Sequence, residues 1–153
     1  MTAKRVLITG TSGLIAGAAY RRLVAMPEQY DVYALSRRRQ ASERAGEAAP
    51  PDIPDDHFFL ADMADLDAVT HAFEGMDAVV HLAADPRPDA SWDHLLESNI
   101  VGARNAFEAA VRTGVKRVIY ASSIMVSWGY QLDDPYKALS SGRFEDLARK
   151  EVH

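Results

Sequence analysis

The sequence predicts a single α/β domain built on a doubly wound parallel sheet, because three features of the chain agree. Strand-length apolar runs alternate with stretches of helical periodicity, and the first of these runs ends in a glycine-rich turn. The length of 153 residues, with 48% hydrophobic and 25% charged residues, is that of one globular domain. Right-handed crossovers then predict about five parallel strands in the order 3-2-1-4-5, with helices on both faces.

The first part of the chain predicts a strand, a glycine turn, a helix and a second strand. Residues 5–9 form a β-branched apolar run that stops at Gly10, which suits a strand buried on both faces. Residues 14–26 carry apolar side chains at helical spacing, and residues 31–35 predict the second strand. Residues 40–56 contain three prolines and no sustained period, so we expect a flexible surface excursion there.

The alternation continues through the second part of the chain. Apolar runs at residues 57–60, 77–82 and 116–121 predict the third, fourth and fifth strands. Helical periodicity occupies residues 65–73, where an aspartate can cap the start, and a longer stretch at about residues 91–112.

The apolar period fades near the C-terminus, and this defines the predicted domain organisation. We expect one packed domain over residues 1–129 and a poorly packed segment over residues 130–153. Within that segment, residues 143–150 have the pattern of a short helix.

Composition excludes several classes of function. The 17 Lys and Arg residues against 22 Asp and Glu residues give a formal net charge of −5, which argues against a nucleic-acid partner. The absence of cysteine excludes disulfides and thiolate metal sites, and the histidines share no metal-ligand spacing, so we predict no metal. No apolar run approaches the ~18–20 residues of a membrane span, so we expect no membrane partner and a cytoplasmic location.

The turn after the first strand has the pattern of a phosphate-binding loop. Gly10 permits the tight turn, Gly13 lets backbone N–H groups approach a pyrophosphate, and Ala16 lets the helix pack closely. The alternative is an ordinary strand-to-helix turn built from small residues. The predicted cofactor-binding residues of this segment are Gly10, Thr11, Ser12, Gly13, Leu14 and Ile15.

The end of the second strand selects the cofactor in a Rossmann fold, the doubly wound fold that binds dinucleotides. An acidic residue there binds the ribose hydroxyls of NAD, whereas an arginine accommodates the 2′-phosphate of NADP. This chain has Ser36 and Arg37 at that place, followed by Arg38 and Arg39. The sequence therefore favours NADP over NAD, although a run of charge is also typical of a solvated surface.

Five motifs occur in a fixed order along the chain. They are the loop at residues 9–16, Asp62 after the third strand, His-Leu-Ala-Ala at residues 81–84, Asn99 in the long helix and the serine pair after the fifth strand. Together they resemble the extended short-chain dehydrogenase/reductases, also called the NAD-dependent epimerase/dehydratase family. The resemblance covers about residues 4–129 and is nearest to uronate dehydrogenase-like and sugar-epimerase-like members.

The resemblance implies roles for further residues. Asp62 and Met63 would meet the adenine, and Leu82, Ala83 and Ala84 would line the cofactor trough. Asn99 would hold a helix kink and a water chain, Ser122 would border the cofactor, and Ser123 would be the catalytic residue that hydrogen-bonds the reacting substrate oxygen. Each polar residue has a structural alternative: Asp62 as the cap of a turn, Asn99 as a helix-surface residue, and the serines as hydroxyls that satisfy the backbone.

The chain departs from the family at its proton-transfer pair. The family uses Tyr-x-x-x-Lys after the fifth strand, and no tyrosine of this chain has a lysine four positions later. We therefore expect a chain truncated before the catalytic helix and the C-terminal substrate region, and inactive by itself. A naturally short dinucleotide-binding protein is the alternative.

The resemblance implies an oxidoreductase or epimerase that moves a hydride between nicotinamide and a sugar or nucleotide sugar. The alternative function is a non-catalytic redox sensor. The long helix would be one half of the family's dimer bundle, which leaves the oligomeric state open with a homodimer among the alternatives. For Trp92, core packing is preferred to a place at the border of the substrate pocket.

Overall fold

The computed structural model describes residues 2–40, 51–123, 137–140 and 142–143. The chain divides into two compact units, Met1–Tyr120 and Ala121–His153. The sequence-predicted boundary after residue 129 lies outside the described residues and stays a prediction.

The first unit contains a five-stranded parallel sheet. Its strand order is β3-β2-β1-β4-β5, which confirms the predicted order and places the change of direction between β1 and β4. The observed ends lie within one residue of the predicted ones. The strands are β1 Lys4–Thr9, β2 Tyr30–Ser36, β3 Phe58–Leu60, β4 Ala78–His81 and β5 Arg117–Tyr120.

Helices connect the strands of the first unit. The predicted long helix is divided into a short α-helix, a π-helical turn at Leu96–Val101 and a second α-helix. Asp65 caps α2 as expected, by accepting hydrogen bonds from two backbone N–H groups. The helices are α1 Leu14–Val24, α2 Leu66–Phe73, α3 Trp92–Leu95 and α4 Gly102–Thr113.

Two hydrophobic clusters cover the two faces of the sheet. Leu7 of β1 packs with Phe73 of α2 and Ala106 of α4. The next residue, Ile8, points to the other face and packs with Tyr20 of α1, because successive side chains of a strand alternate between faces. Apolar strands covered on both faces confirm the doubly wound architecture.

Two expectations about packing were wrong. Ile53, within the proline-containing stretch, is buried in the cluster beneath α1, so this end of the stretch is part of the core. Trp92 is 65% exposed and does not pack in the core, because the four-residue helix that it begins, α3, has no buried residue.

The second unit is described only in part. A short helix, α5 Lys137–Ser140, lies in a region for which the sequence predicts no helix, and the backbone N–H of Arg143 donates to the carbonyl of Ala138 at 3.0 Å. Of the predicted helix at residues 143–150, all but the first residue fall outside the described part of the chain. Among the described residues, no helix is long and apolar enough to cross a membrane.

Candidate functional site

The loop between β1 and α1 lies at the carboxyl edge of the sheet, against the segment that follows β4. Gly10 adopts a left-handed conformation with φ +79°, which favours glycine. A Cβ at Gly10 would lie 2.8 Å from Ala83 Cα, too close for any side chain. The absence of a side chain here brings together the two strands between which the sheet changes direction, where open α/β sheets bind their ligands.

The start of α1 is open to an anion. Gly13 is the N-cap residue, and no described side chain caps this end of the helix. The first N–H groups of an uncapped helix lack helical partners and carry the positive end of the dipole, so this end suits a phosphate. Leu14 and Ile15 are exposed beside it despite being apolar. The predicted loop residues are therefore brought together at one helix start.

A buried hydroxyl pair connects the loop to the end of β2. Thr11 Oγ1 lies 3.1 Å from Ser36 Oγ, and the backbone N–H of Ser12 donates to the same Ser36 oxygen at 3.3 Å. Both hydroxyl-bearing side chains are buried. Ser36 therefore orders the loop from within, a role that the sequence does not reveal.

The residues predicted to meet the adenine make contacts of different kinds within the chain. Arg37 Nη1 lies 3.7 Å from Asp62 Oδ2, and both side chains are about half exposed. Asp62 Oδ1 also accepts a hydrogen bond from the backbone N–H of Ala64, as expected for the cap of a turn. The side chain of Met63 is buried in the core cluster, and its carbonyl accepts from Asn105.

Thr9 fixes the start of the segment after β4. Its Oγ1 accepts hydrogen bonds from the backbone N–H groups of Leu82 and Ala83 at 3.1 Å each and lies 2.8 Å from His81 Nδ1. Burial lowers the pKa of His81 to about 4, so the imidazole is neutral at pH 7 and Nδ1 can accept the hydroxyl proton of Thr9. Sequence analysis included both residues in motifs, but it did not predict this hydrogen bond between Thr9 and His81.

Asn99 lies in the π-helical turn and binds the chain after Ala84. Its Oδ1 accepts from the backbone N–H of Asp85 at 2.7 Å, and its Nδ2 donates to the Asp85 carbonyl at 2.9 Å. The π-helical turn agrees with the expected helix distortion. Asn99 is therefore no simple helix-surface residue: it ties the segment after β4 to the long helix.

Asp85 completes this arrangement, and sequence reasoning missed it. Its buried carboxylate accepts hydrogen bonds from Arg87 and lies 2.8 Å from His94 Nε2. The hydrogen bond from Arg87 holds the pKa of Asp85 far below its usual range. The short Asp-x-Arg spacing is the only signal in the sequence, and it gains meaning only once the loop conformation is known.

Ser122 and Ser123 belong to the second unit and are exposed. The roles that the resemblance implies for them stay predictions. Among the described residues, no group of three or more acidic or histidine side chains could hold a metal ion.

Comparison with known proteins identifies relatives along most of the chain. A family model described as "NAD dependent epimerase/dehydratase family" matches residues 6–137. NAD-dependent glucose-6-phosphate dehydrogenase of Haloferax volcanii is 36% identical over 84% of this chain and 47% of its own length. A uronate dehydrogenase of Pseudomonas putida is 32% identical over 94% of this chain and 54% of its own length.

Solved structures agree with this assignment. The crystal structure of uronate dehydrogenase from Agrobacterium tumefaciens matches 80% of this chain and 42% of its own, with a TM-score of 0.63 and 29% identity. The UDP-glucose 4-epimerase of Thermus thermophilus, in complex with NAD, matches 78% of this chain and 37% of its own, with a TM-score of 0.62 and 27% identity. The chain thus spans about half the length of the curated relatives described above. The family model, the relatives and the strand order agree, and the chain belongs to the NAD-dependent epimerase/dehydratase family.

Proposed function

We propose that this chain is the dinucleotide-binding part of an oxidoreductase or epimerase that transfers a hydride between a nicotinamide cofactor and a sugar or nucleotide sugar. The observation that carries the proposal is the uncapped start of α1 beside Gly10. Only a glycine fits at position 10, because a Cβ there would lie 2.8 Å from Ala83 Cα. A pyrophosphate suits this place because the first N–H groups of an uncapped helix lack helical partners and carry the positive end of the helix dipole.

Different segments of the chain would bind different parts of the cofactor. The loop at residues 10–13 would bind the diphosphate, with Leu14 and Ile15 covering it. Residues 82–84 would line the nicotinamide side, held in place by Thr9 and Asn99. When bound, the nicotinamide would supply or accept the hydride.

We also propose NADP as the preferred cofactor. Ser36 occupies the place of the acidic residue that would bind the ribose hydroxyls of NAD and repel a 2′-phosphate. Arg37, with Asp62, would meet the adenosine half of the same cofactor.

The relatives support a sugar as substrate. Their names specify glucose 6-phosphate, L-arabinose and uronate, and one solved neighbour is a UDP-glucose 4-epimerase. Ser123 would orient the reacting oxygen of the sugar. Because these 153 residues contain no Tyr-x-x-x-Lys pair to move the proton, we propose that this chain alone turns over no substrate.

A cytoplasmic location and a homodimer complete the proposal. The lack of cysteine suits a reducing compartment. Exposed apolar side chains along the long helix support self-association; they are Trp92, Leu96, Ile100, Phe107 and Val111.

The substitution Gly10→Ala tests the dinucleotide site. The new Cβ would meet the backbone of Ala83, so we expect NAD⁺ and NADP⁺ affinity to fall by at least about tenfold, measured by calorimetric titration. Gly114→Ala is the matched control, since Gly114 also has a left-handed φ but has no atom within 4 Å of the added Cβ. Circular dichroism must show both variants folded. Unchanged cofactor binding by folded Gly10→Ala would contradict the proposed site.

The absence of Tyr-x-x-x-Lys also favours a second candidate, a redox sensor in which bound cofactor alters a protein contact. A sensor would capture a partner from lysate only when NADP⁺ or NADPH is present, and Gly10→Ala would abolish the capture. If the chain captures a partner without cofactor, or captures no partner at all, the sensor hypothesis is contradicted. Neither result would contradict the proposed dinucleotide site.

A further inference from the structure

The segment that follows β4 lies beside the proposed dinucleotide site and is anchored at two places. Thr9 Oγ1 accepts hydrogen bonds from the backbone N–H groups of residues 82–83. Further along, the Asn99 side chain binds both the N–H group and the carbonyl of Asp85. Ala84, between these anchors, is exposed, and its backbone makes no hydrogen bond to the described residues. The structure therefore holds a short stretch of open backbone in place.

The side chain of Asp85 provides a further anchor, although it is only 6% exposed. Its Oδ1 accepts hydrogen bonds from the backbone N–H and the Nε of Arg87 at 3.0 Å each, and its Oδ2 accepts from Arg87 Nη2 at 2.6 Å. His94 Nε2, on α3, lies 2.8 Å from the same Oδ2. The carboxylate therefore joins the loop after β4 to α3. We call these three side chains, of Asp85, Arg87 and His94, the Asp85 cluster.

The Asp85 cluster balances its charges internally. The hydrogen bond from Arg87 holds the pKa of Asp85 below its usual range, so the carboxylate is charged at neutral pH. Arg87 directs its Nε and Nη2 at this carboxylate, and we therefore interpret the arginine as the partner of Asp85 rather than as a group for binding an anion. A buried charge is costly without partners, so a movement of the loop that separated these groups would be unfavourable.

The backbone that the Asp85 cluster holds passes close to the loop between β1 and α1. A Cβ at Gly10 would lie 2.8 Å from Ala83 Cα and 2.9 Å from Ala83 N, so the two backbones leave no space between them. This close approach lies where the sheet changes direction, between β1 and β4. A displacement of the segment after β4 would therefore change the shape of the proposed site.

We propose that Asp85 is a positioning residue for the nicotinamide half of the cofactor. Through Arg87 and His94, it holds residues 83–84 in the conformation that contacts this half. The inference rests on the proposed dinucleotide site, in which residues 82–84 line the nicotinamide side. A contact surface that is already fixed binds its ligand without the cost of ordering a loop, so loosening the Asp85 cluster should weaken binding. The adenosine half should be unaffected, because its proposed contacts lie at the ends of β2 and β3.

The test uses the 153-residue chain and two ligand pairs, each consisting of a cofactor and the same molecule without nicotinamide. The pairs are NAD⁺ against ADP-ribose and NADP⁺ against ADP-ribose 2′-phosphate. Asp85→Asn keeps the shape of the side chain and removes its charge. Calorimetric titration of this variant should show about 3- to 10-fold weaker binding of the two cofactors. Binding of the two nicotinamide-free ligands should stay within about twofold of wild type.

Asp77→Asn is the matched control. Asp77 immediately precedes β4, at the opposite end of the strand from the proposed site. It also accepts a hydrogen bond from a backbone N–H, that of Arg5 at 3.0 Å, and has a cation nearby, Lys116 Nζ at 3.9 Å. The control therefore removes the charge of an aspartate with similar partners, and it should change the binding of neither ligand pair.

A spectroscopic readout and a second variant separate positioning from a general loss of stability. The fluorescence of the reduced nicotinamide depends on how firmly the ring is held, so NADPH bound at saturation should be less fluorescent on Asp85→Asn than on wild type. Arg87→Gln removes the guanidinium at a side chain that is 55% exposed and should leave the core folded. We expect it to weaken cofactor binding selectively by about 2- to 5-fold. If thermal melts show Asp85→Asn to be unfolded, Arg87→Gln alone decides the test.

The outcomes separate the two proposals. If wild type binds neither the cofactors nor the nicotinamide-free ligands, the proposed function itself fails. If wild type binds them and the folded variants weaken both members of each pair equally, or change neither, the positioning role of Asp85 is overturned and the dinucleotide site stands. The role is also overturned if wild type binds the cofactors no more tightly than the nicotinamide-free ligands, because the nicotinamide half then gains nothing from residues 82–84.

Discussion

At the scale of single residues, one hydroxyl connects the two central strands. Thr9 ends β1, and its Oγ1 serves two N–H groups of the segment after β4 as well as the ring of His81. The His81 ring also stacks on Tyr120 of β5, with centroids 5.6 Å apart. A neutral imidazole suits this buried position, because a charged ring would lose its hydration there.

This environment predicts that acid destabilises the fold. The pKa of His81 is about 4 in the folded chain, against about 6.5 in an unfolded chain. Below pH ~6.5 the His81 imidazole takes up a proton in the unfolded state but stays neutral in the folded state. The free energy of unfolding therefore falls as pH drops toward 4, by roughly 3 kcal/mol in total. Urea unfolding between pH 4 and 7.5 measures this slope.

Two variants check the source of that slope. His81→Gln should be less stable at pH 7 but should lose much of the acid dependence, whereas His71→Gln, at an exposed position, should retain it. His57 acts in the opposite direction: hydrogen bonds to Asp56 and Asp31 raise its pKa, so its contribution is present at low pH and lost as pH rises through that value. The same acid slope in His81→Gln would show that another group is responsible.

At the scale of the elements, the sequence predicts what depends on local chemistry. The strands follow from β-branched apolar runs, and the start of α2 follows from an aspartate before an apolar helix. The family resemblance implied a helix kink at Asn99, but its form, a π-helical turn at Leu96–Val101, was not predicted, because apolar spacing over six residues does not distinguish a π-helix from an α-helix. The hydrogen bonds from the Asn99 side chain in this turn reach the backbone of Asp85, which lies in a loop whose conformation no sequence periodicity specifies.

The cap of α2 permits a quantitative prediction. Asp65 Oδ1 accepts hydrogen bonds from the backbone N–H groups of Asp67 and Ala68 at 3.1 and 3.0 Å. Asp65→Ala removes both and should lower the free energy of unfolding by about 1 kcal/mol. Asp65→Asn keeps an accepting oxygen and should stay within about 0.5 kcal/mol of wild type, as measured by urea unfolding. Equal losses in the two variants would mean that charge, not the hydrogen bonds, matters at this position.

At the scale of the whole first unit, the pattern of burial shows what the sequence could not tell. The strand order and the two packed faces follow from alternation and handedness, which the sequence carries. Burial of Ile53 and exposure of Trp92 depend on how the connections run over the sheet, so composition alone predicted both wrongly. The same distinction applies to the candidate site. Its glycines can be recognised in the sequence, whereas the contacts that support it form only in the folded chain.

The exposed apolar surface gives the last prediction. Val111 on α4 is 80% exposed, and Phe107, one helical turn earlier, contacts Tyr120 of the edge strand β5. Exposed apolar side chains beside a strand edge favour association of chains. We expect a concentration-dependent dimer in sedimentation velocity, and Val111→Lys should weaken it by at least about tenfold, because a charge would be buried without a partner. The same substitution at Val24, an exposed valine at the end of α1, should leave association unchanged. A strictly monomeric wild type would contradict the predicted dimer, and equal effects of the two substitutions would place the contact elsewhere.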